Sequence, residues 1–353
     1  VTVPSAQRDG LALALLPGVG PVEYARRVRE AGSVRAALAR DPRAAEVEVR
    51  AARLLEQAAA VGAQCVVRHA AAYPPALEAL PAPPPVVWMR GTPALATQRS
   101  VAIVGTRTAS ATGRRVARSL AAACAEVGVT VVSGLALGID GAAHEAALTH
   151  GGGTVAVLGT GVDVPYPPRH RALQERVASL GLLLSEVPPG ERGHAGTFPQ
   201  RNRLIAALAE VTVVVEAGRA SGALITARVA LELGRTVCAV PGSVLAPECA
   251  GSNALLQEGA QLVCTPDDLL AELRLERTHG ARRAGSGRAA PDLDGDAARC
   301  WDALQAGCAD VAMLAVRAGL DVRRVNVALA ALELHGLLEV DAGGVVRPLG
   351  PVA

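Results

Sequence analysis

From Val101 to about Leu273, short runs of β-branched and aliphatic residues alternate with Ala-rich stretches of helical length. No other feature of the chain limits its fold as strongly. The strand-like runs are Val101–Val104, Thr130–Ser133, Thr154–Leu158, Leu182–Ser185, Val211–Val215, Thr236–Val240 and Gln261–Cys264. Between most of them lie Gly113–Val127, Asp140–Thr149, Arg169–Leu180, Pro199–Ala209 and Gly222–Leu233, all helical in pattern. Such alternation predicts an α/β class: a doubly wound, mainly parallel sheet with helices on both faces. The runs are apolar throughout rather than at every second residue, as strands buried on both sides require. Gln64–Val67 and Val86–Met89 are predicted to extend the sheet.

The 353 residues leave room for two or three domains. Residues 5–60 read as short helices, two of them joined through the turn Gly18-Val19-Gly20. Tyr73–Pro85 is rich in Pro and Ala and reads as an irregular strap over the sheet. Five Arg and one Glu lie within 274–290 among Gly and Ser, the composition of a solvated tether or of an accessory DNA contact. The last 55 residues read as three helices and a hairpin. Asp310–Ala318 stops at Gly319, Asp321 caps Val322–Leu334, and Gly336–Val340 and Val345–Arg347 flank Gly343-Gly344, a winged-helix pattern. The expected organisation is a small helical domain at 1–62, a core at 63–273, a flexible Arg-rich linker at 274–296 and the winged helix at 297–353.

Composition removes several kinds of chemistry. The formal net charge of +2 is too balanced for bulk attraction to a polyanion, so any such site must be local. The chain contains no Lys, and its 35 cationic side chains are all Arg. A Walker A loop, Schiff-base chemistry and Ser–Lys hydrolysis are thereby excluded. Three Tyr, two Trp and one Phe are too few for a sheet of stacking aromatics. The seven Cys show no Cys-x-x-Cys spacing and are expected to be buried reduced thiols, not zinc ligands or a disulfide framework. No apolar run approaches about 18 residues, and no signal-peptide pattern opens the chain. A cytoplasmic protein without a membrane partner is expected.

The candidate chemistry lies where strands end and helices begin. In a sheet of this kind ligands bind at the carboxyl ends of the strands, over the helix N-termini. Gly105-Thr106-Arg107-Thr108-Ala109-Ser110 offers amides, hydroxyls and one Arg, as a phosphate cradle or as an ordinary turn. In Ser133-Gly134-Leu135-Ala136-Leu137-Gly138-Ile139-Asp140, Asp140 is expected to cap the next helix; a metal role with His144 is the weaker alternative. Gly159-Thr160-Gly161-Val162-Asp163 begins like a nucleotide fingerprint but lacks its third Gly, and Arg169-His170-Arg171 opens a helix. Phe198-Pro199-Gln200-Arg201-Asn202-Arg203 sets two Arg at a helix N-terminus, against the macrodipole. That placement suggests an anion to be bound, with Phe198 beside it for a base or as a core anchor. Glu216-Ala217-Gly218-Arg219-Ala220-Ser221-Gly222 completes the series. No paired carboxylates, nucleophile elbow or metal cluster occurs among these loops, so no catalytic residue, cofactor or metal is expected.

These motifs, in this order, resemble the DNA-processing protein A (DprA) family. They are Val104-Gly105-Thr106-Arg107 with Ser110 and Gly113, Val132–Asp140, Gly159–Asp163 with Tyr166-Pro167, Phe198–Arg203 and Ser221–Ala227. Pro241-Gly242 and Gly251-Ser252-Asn253 with Gly259-Ala260 fit as well. The resemblance implies a helical, SAM-like N-terminal domain, an extended Rossmann-like core and a C-terminal winged helix. It implies a non-enzymatic dimer that binds and protects incoming single-stranded DNA in natural transformation. Such proteins help load the RecA recombinase despite single-strand binding protein, an indirect partner. Members often carry a Lys ahead of the Phe-Pro pair; here the stretch is Gly193-His194-Ala195-Gly196-Thr197. The alternatives are a nucleotide phosphoribohydrolase-like enzyme on a related fold, lacking here its Pro-Gly-Gly-x-Gly-Thr loop, and a winged-helix regulator with a ligand-sensing core.

The expected mechanism sets Arg107, Arg201 and Arg203 on phosphates, with amides of Gly105, Thr106, Arg107 and Gly134 assisting. Asn202 holds the loop or meets a base edge, and Phe198 packs against a base. Ser110, Ser133, Arg169 and Ser221 complete the candidate DNA-binding set. Leu231, Leu256 and Gln257, late in the sheet order, are the candidate dimer surface.

Overall fold

The computed structural model describes residues 5–194, 196–275, 295–305, 311–334, 337–340 and 346–348. The chain divides into two compact units, Val1–Arg277 and Thr278–Ala353.

In the first unit the strands are β1 (Gln64–Val67), β2 (Val86–Gly91), β3 (Ser100–Val104), β4 (Thr130–Ser133), β5 (Thr154–Leu158), β6 (Leu182–Ser185), β7 (Val211–Val214), β8 (Thr236–Ala239) and β9 (Gln261–Leu262). They form one sheet in the order β1-β2-β6-β5-β4-β3-β7-β8-β9. From β6 to β9 the pairings are parallel; β1 with β2, and β2 with β6, are antiparallel. The chain lays β4, β5 and β6 to one side of β3, then crosses back to lay β7, β8 and β9 on the other. Loops leaving β3 and β7 therefore diverge, and a crevice opens at their carboxyl ends.

The helices are α1 (Ser5–Ala14), α2 (Pro21–Ala31), α3 (Val34–Ala39), α4 (Ala44–Ala60), α5 (Ala111–Glu126), α6 (Ile139–Thr149), α7 (Arg171–Leu180), α8 (Thr197–Leu208), α9 (Gly222–Glu232), α10 (Ala250–Gln257) and α11 (Pro266–Glu272). Successive strand residues point to opposite faces, and both faces are covered. Ala102, Val104, Val132, Val155, Val157 and Val214 meet α8, α9 and the Tyr73–Pro85 strap, whose Tyr73, Leu77 and Leu80 are buried there. On the opposite face Val101, Ile103, Val131 and Val213 lie under α5, α6 and α11. Trp88, Ala156, Leu158 and Leu183 lie under α7 and the N-terminal helices. The helices expected as a separate domain at 1–62 thus share a core with the β1–β5 end of the sheet and belong to the same compact unit.

Both ends of the sheet are blunted. At β1 the Cys65 carbonyl accepts from the side-chain amide of Gln7, and the Val67 carbonyl from the Ala70 amide. At the other end β9 is two residues long, both exposed.

The second unit contains α12 (Gly295–Gln305), α13 (Val311–Ala318), α14 (Val322–Leu334) and the hairpin of β10 (Leu338–Val340) with β11 (Val346–Pro348). Cys300, Leu304, Leu314, Val325, Leu332 and Leu338 form its core. Asp321 Oδ1 accepts from the Arg324 amide at 2.9 Å, the expected cap of α14. The expected linker lies mostly outside the described residues, and its last two residues open α12; the Gly343-Gly344 turn and Cys308 lie outside them too. Of the other Cys, 65, 124, 238 and 300 are buried, 249 is half-buried and 264 exposed.

Because the first unit keeps its cores to itself, a chain ending at Arg277 is expected to unfold in a single cooperative transition. A broad, non-cooperative melt followed by circular dichroism would show that the terminal unit is integral to the core.

Candidate nucleic-acid interface

Among the loops that leave the carboxyl edge of the sheet, those after β3, β4, β5 and β7 carry most of the candidate residues. The β3–α5 loop is anchored at both ends. The Thr106 amide donates to the Glu216 carbonyl at 2.6 Å. Ser110 caps α5, its Oγ accepting from the Gly113 amide at 2.9 Å and donating to Glu216 Oε2 at 2.8 Å. Gly138, at φ 81°, passes so close that a Cβ would lie 2.3 Å from the Thr106 carbonyl oxygen. Between these anchors Arg107 is exposed, without a hydrogen bond or ion pair among the described residues.

Asp140 lies inside the first turn of α6 and reaches backward instead of capping that helix. Its Oδ2 accepts from the amides of Gly134 at 3.1 Å and Ala136 at 3.3 Å. The carboxylate therefore holds the β4–α6 loop, in which Leu135 takes a left-handed φ of 56°. Ser133 donates its hydroxyl to the Ile103 carbonyl at 2.7 Å and ties β4 to β3 from within. His144 is buried against Thr154 Oγ1 at 2.7 Å, and burial pushes its pKa down to about 3, so the ring is neutral. Among the described residues no three metal-ligating side chains come together.

Helix α8 carries the densest sequence signal, and it divides. Arg201 points into the protein and is 7% exposed. Its Nη1 donates to the carbonyls of Gly134, at 2.6 Å, and Val157. Burial lowers its pKa to about 10, opposed by the Asp140 carboxylate. Burial likewise raises the Asp140 pKa, opposed by Arg201. Arg203 faces elsewhere: it donates to the Ala82 carbonyl at 3.0 Å and pairs with Glu186, bracing α8 against the strap. Of the three Arg expected on phosphates, Arg201 and Arg203 are thus engaged within the protein, and they diverge because residues two apart on a helix lie on different faces. Asn202 holds the neighbouring loop, its Nδ2 donating to the Gly222 carbonyl at 3.1 Å. Ser221 caps α9.

Phe198 is half-buried, its ring lying against Gly159 and 4.6 Å from that of Tyr166 at a tilt of 34°. Two hollows meet here. A crevice of about 470 Å³ lies between the β3–α5 and β7–α9 loops, lined by Gly105, Thr106, Arg107, Asn202, Ser221 and Gly222 among others. A pocket of about 110 Å³ is walled by Arg107, Leu137, Gly159, Tyr166 and Phe198. Arg107 stands between them. Arg169 is exposed in the turn Pro168–His170 and lines neither.

A family model described as DNA recombination-mediator protein A matches residues 64–274, and a DprA winged helix domain model matches residues 284–344. The chain belongs to this DprA family.

A DprA relative from Mycobacterium tuberculosis, described as a putative DNA processing protein, is 43% identical over 348 residues, 94% of this chain and 88% of its own. The crystal structure of Streptococcus pneumoniae DprA superposes with a TM-score of 0.63 at 35% identity, over 76% of this chain and 95% of that one. Helicobacter pylori DprA gives a TM-score of 0.55 at 31% identity, over 60% and 95%. The α/β Rossmann-like core and the terminal winged helix are those of DprA proteins.

Within this DprA fold the candidate residues separate by role. Arg107 and Phe198 face the hollows with no hydrogen bond of their side chains among the described residues; Gly105, Thr106, Gly134, Arg201, Asn202 and Ser221 line the hollows while holding the surrounding structure, and Ser110 and Ser133 line neither. The amides of Thr106 and Gly134, expected to assist a phosphate, are engaged within the protein. Tyr166 and the exposed Arg219 join the edge without having been singled out as site residues. Tyr166 is one of only three Tyr and follows a Gly-rich loop, a signal sufficient to find it.

A Cβ at Gly134 would lie 2.5 Å from Arg201 Nη1. Gly134→Ala is expected to displace the guanidinium and cost about 1–3 kcal/mol, read as a lowered urea midpoint. An unchanged midpoint would show that Arg201 is free to give way.

Proposed function

We propose that this chain binds single-stranded DNA along the carboxyl edge of the sheet and hands it to the RecA recombinase, without catalysis. One observation carries the reading: an unpaired guanidinium, Arg107, stands between a crevice and a pocket walled by two aromatic rings. A cation of this kind pairs with a backbone phosphate, and a pocket of that size beside Phe198 and Tyr166 suits one unstacked base. The Helicobacter pylori relative is described as having a unique single-stranded DNA binding mode, which supports the assignment. Arg169 and Arg219, exposed near the same edge, would meet flanking phosphates. Protection of the strand and loading of RecA past single-strand binding protein follow as the family role. The phosphoribohydrolase alternative wants a free carboxylate at the crevice; Glu216 is sealed beneath the β3–α5 loop, and Asp140, which lines the crevice, is held by the amides of Gly134 and Ala136.

The wild-type chain is expected to retain an oligothymidylate on a filter in preference to duplex DNA. Arg107→Ala should weaken that binding and lower the slope of log K against log salt by about 0.7, the value of one phosphate contact on a single strand. Equal affinity and slope in the folded variant would remove Arg107 from the interface.

The working assembly is proposed to be a twofold dimer through Leu231, Leu256 and Gln257. Leu231 is 56% exposed on α9, Gln257 is exposed at the end of α10, and Leu256 is half-buried beside it. Leu231→Arg leaves the core untouched and should convert the dimer to a folded monomer by light scattering. A dimer mass for this variant at micromolar concentration would place the interface elsewhere.

A further inference from the structure

The strand at which a doubly wound sheet reverses its order feeds the helix whose N-terminus ordinarily receives a ligand phosphate. Here that strand is β3 and the helix is α5, and the position is taken. Glu216, arriving from the end of β7, is 3% exposed. Its carboxylate accepts from the Ser110 amide at 3.1 and 3.3 Å and from Ser110 Oγ at 2.8 Å. Among the described residues no Arg or His forms an ion pair with it, so the positive end of α5 is its counter-charge. The space is cut to fit: a Cβ at Gly113 would lie 1.9 Å from Oε2. The same residue's carbonyl accepts the Thr106 amide at 2.6 Å. One side chain and its backbone thus clamp both ends of the loop that carries Arg107.

We infer that Glu216 is the specificity-determining residue of this edge. Its carboxylate stands where a free phosphate or mononucleotide would seat, and it leaves Arg107 turned outward for the backbone of a passing strand. The assignment rests on the strand-binding reading for what Arg107 does; exclusion of the free anion does not depend on it.

The test uses the full chain as wild type, Glu216→Ala and Glu216→Gln, melted in inorganic phosphate and in chloride at matched ionic strength. The wild-type midpoint should rise in phosphate only by the general, non-saturating stabilisation that an excluded anion gives a folded protein. Glu216→Ala opens the cradle, and its midpoint should rise with phosphate concentration. Glu216→Gln keeps the shape and loses the charge, so it should melt below wild type and gain no more from phosphate than wild type does. A Glu216→Ala chain no more responsive than wild type, or a Glu216→Gln chain as stable as wild type, would overturn the inference. Should Glu216→Ala unfold in chloride, recovery in phosphate is the expected result; if it folds in neither, the stability of Glu216→Gln decides. Oligothymidylate binding by the wild type is read in parallel. Its absence would sink the strand-binding reading and leave the phosphate result standing.

Discussion

The carboxyl edge depends on a buried cation. Arg201 leaves α8 and ends between the carbonyls of Gly134 and Val157, so one guanidinium joins a helix to the exits of two strands. Asp140 answers it from α6 and collects the amides of the loop between. A guanidinium is suited to this because its rigid fork meets two acceptors at fixed angles. Breaking such a buried charge network by removing one member costs about 3–5 kcal/mol, a large share of a domain's margin. The β4 and β5 exits beside Arg107 and Phe198 are therefore set by charge held inside the protein, and little of that charge appears on the surface.

Buried basic and acidic side chains together shape the edge. Arg201 organises the β4 and β5 exits, and Glu216 organises the β3 exit. Each meets backbone or hydroxyl groups that would otherwise be free for a ligand. What remains for an external anion is side-chain charge at the rim, carried by Arg alone. This suits a ligand that lies across the edge better than one that sits deep in it.

The strands were legible because burial on both faces leaves an unbroken apolar run, and each was placed within two residues of its observed ends. The helices were legible from Ala-rich periodicity between them. Residue roles were harder to read. Arg201 and Arg203 look alike in a string, yet a helical rotation puts one under the loops and the other against Glu186 and Ala82. Asp140 stands where a cap is expected, and the direction in which it reaches is a tertiary matter. Glu216 reads as any acidic residue after a strand; its burial follows from the approach of β7 to β3, which no local pattern contains. The packing of the first 62 residues is hidden for a similar reason, since the core that Trp88 and Leu183 offer those helices is a tertiary matter.

The blunted ends of the sheet bear on how copies of this protein meet. With the β1 edge occupied by a glutamine amide and β9 only two residues long, neither end offers a template for another strand. Association must then run through side chains. Contacts of that kind are discrete, so a single substitution can abolish them. Strand-to-strand addition, the route toward permanent aggregates, is closed at the ends of the sheet.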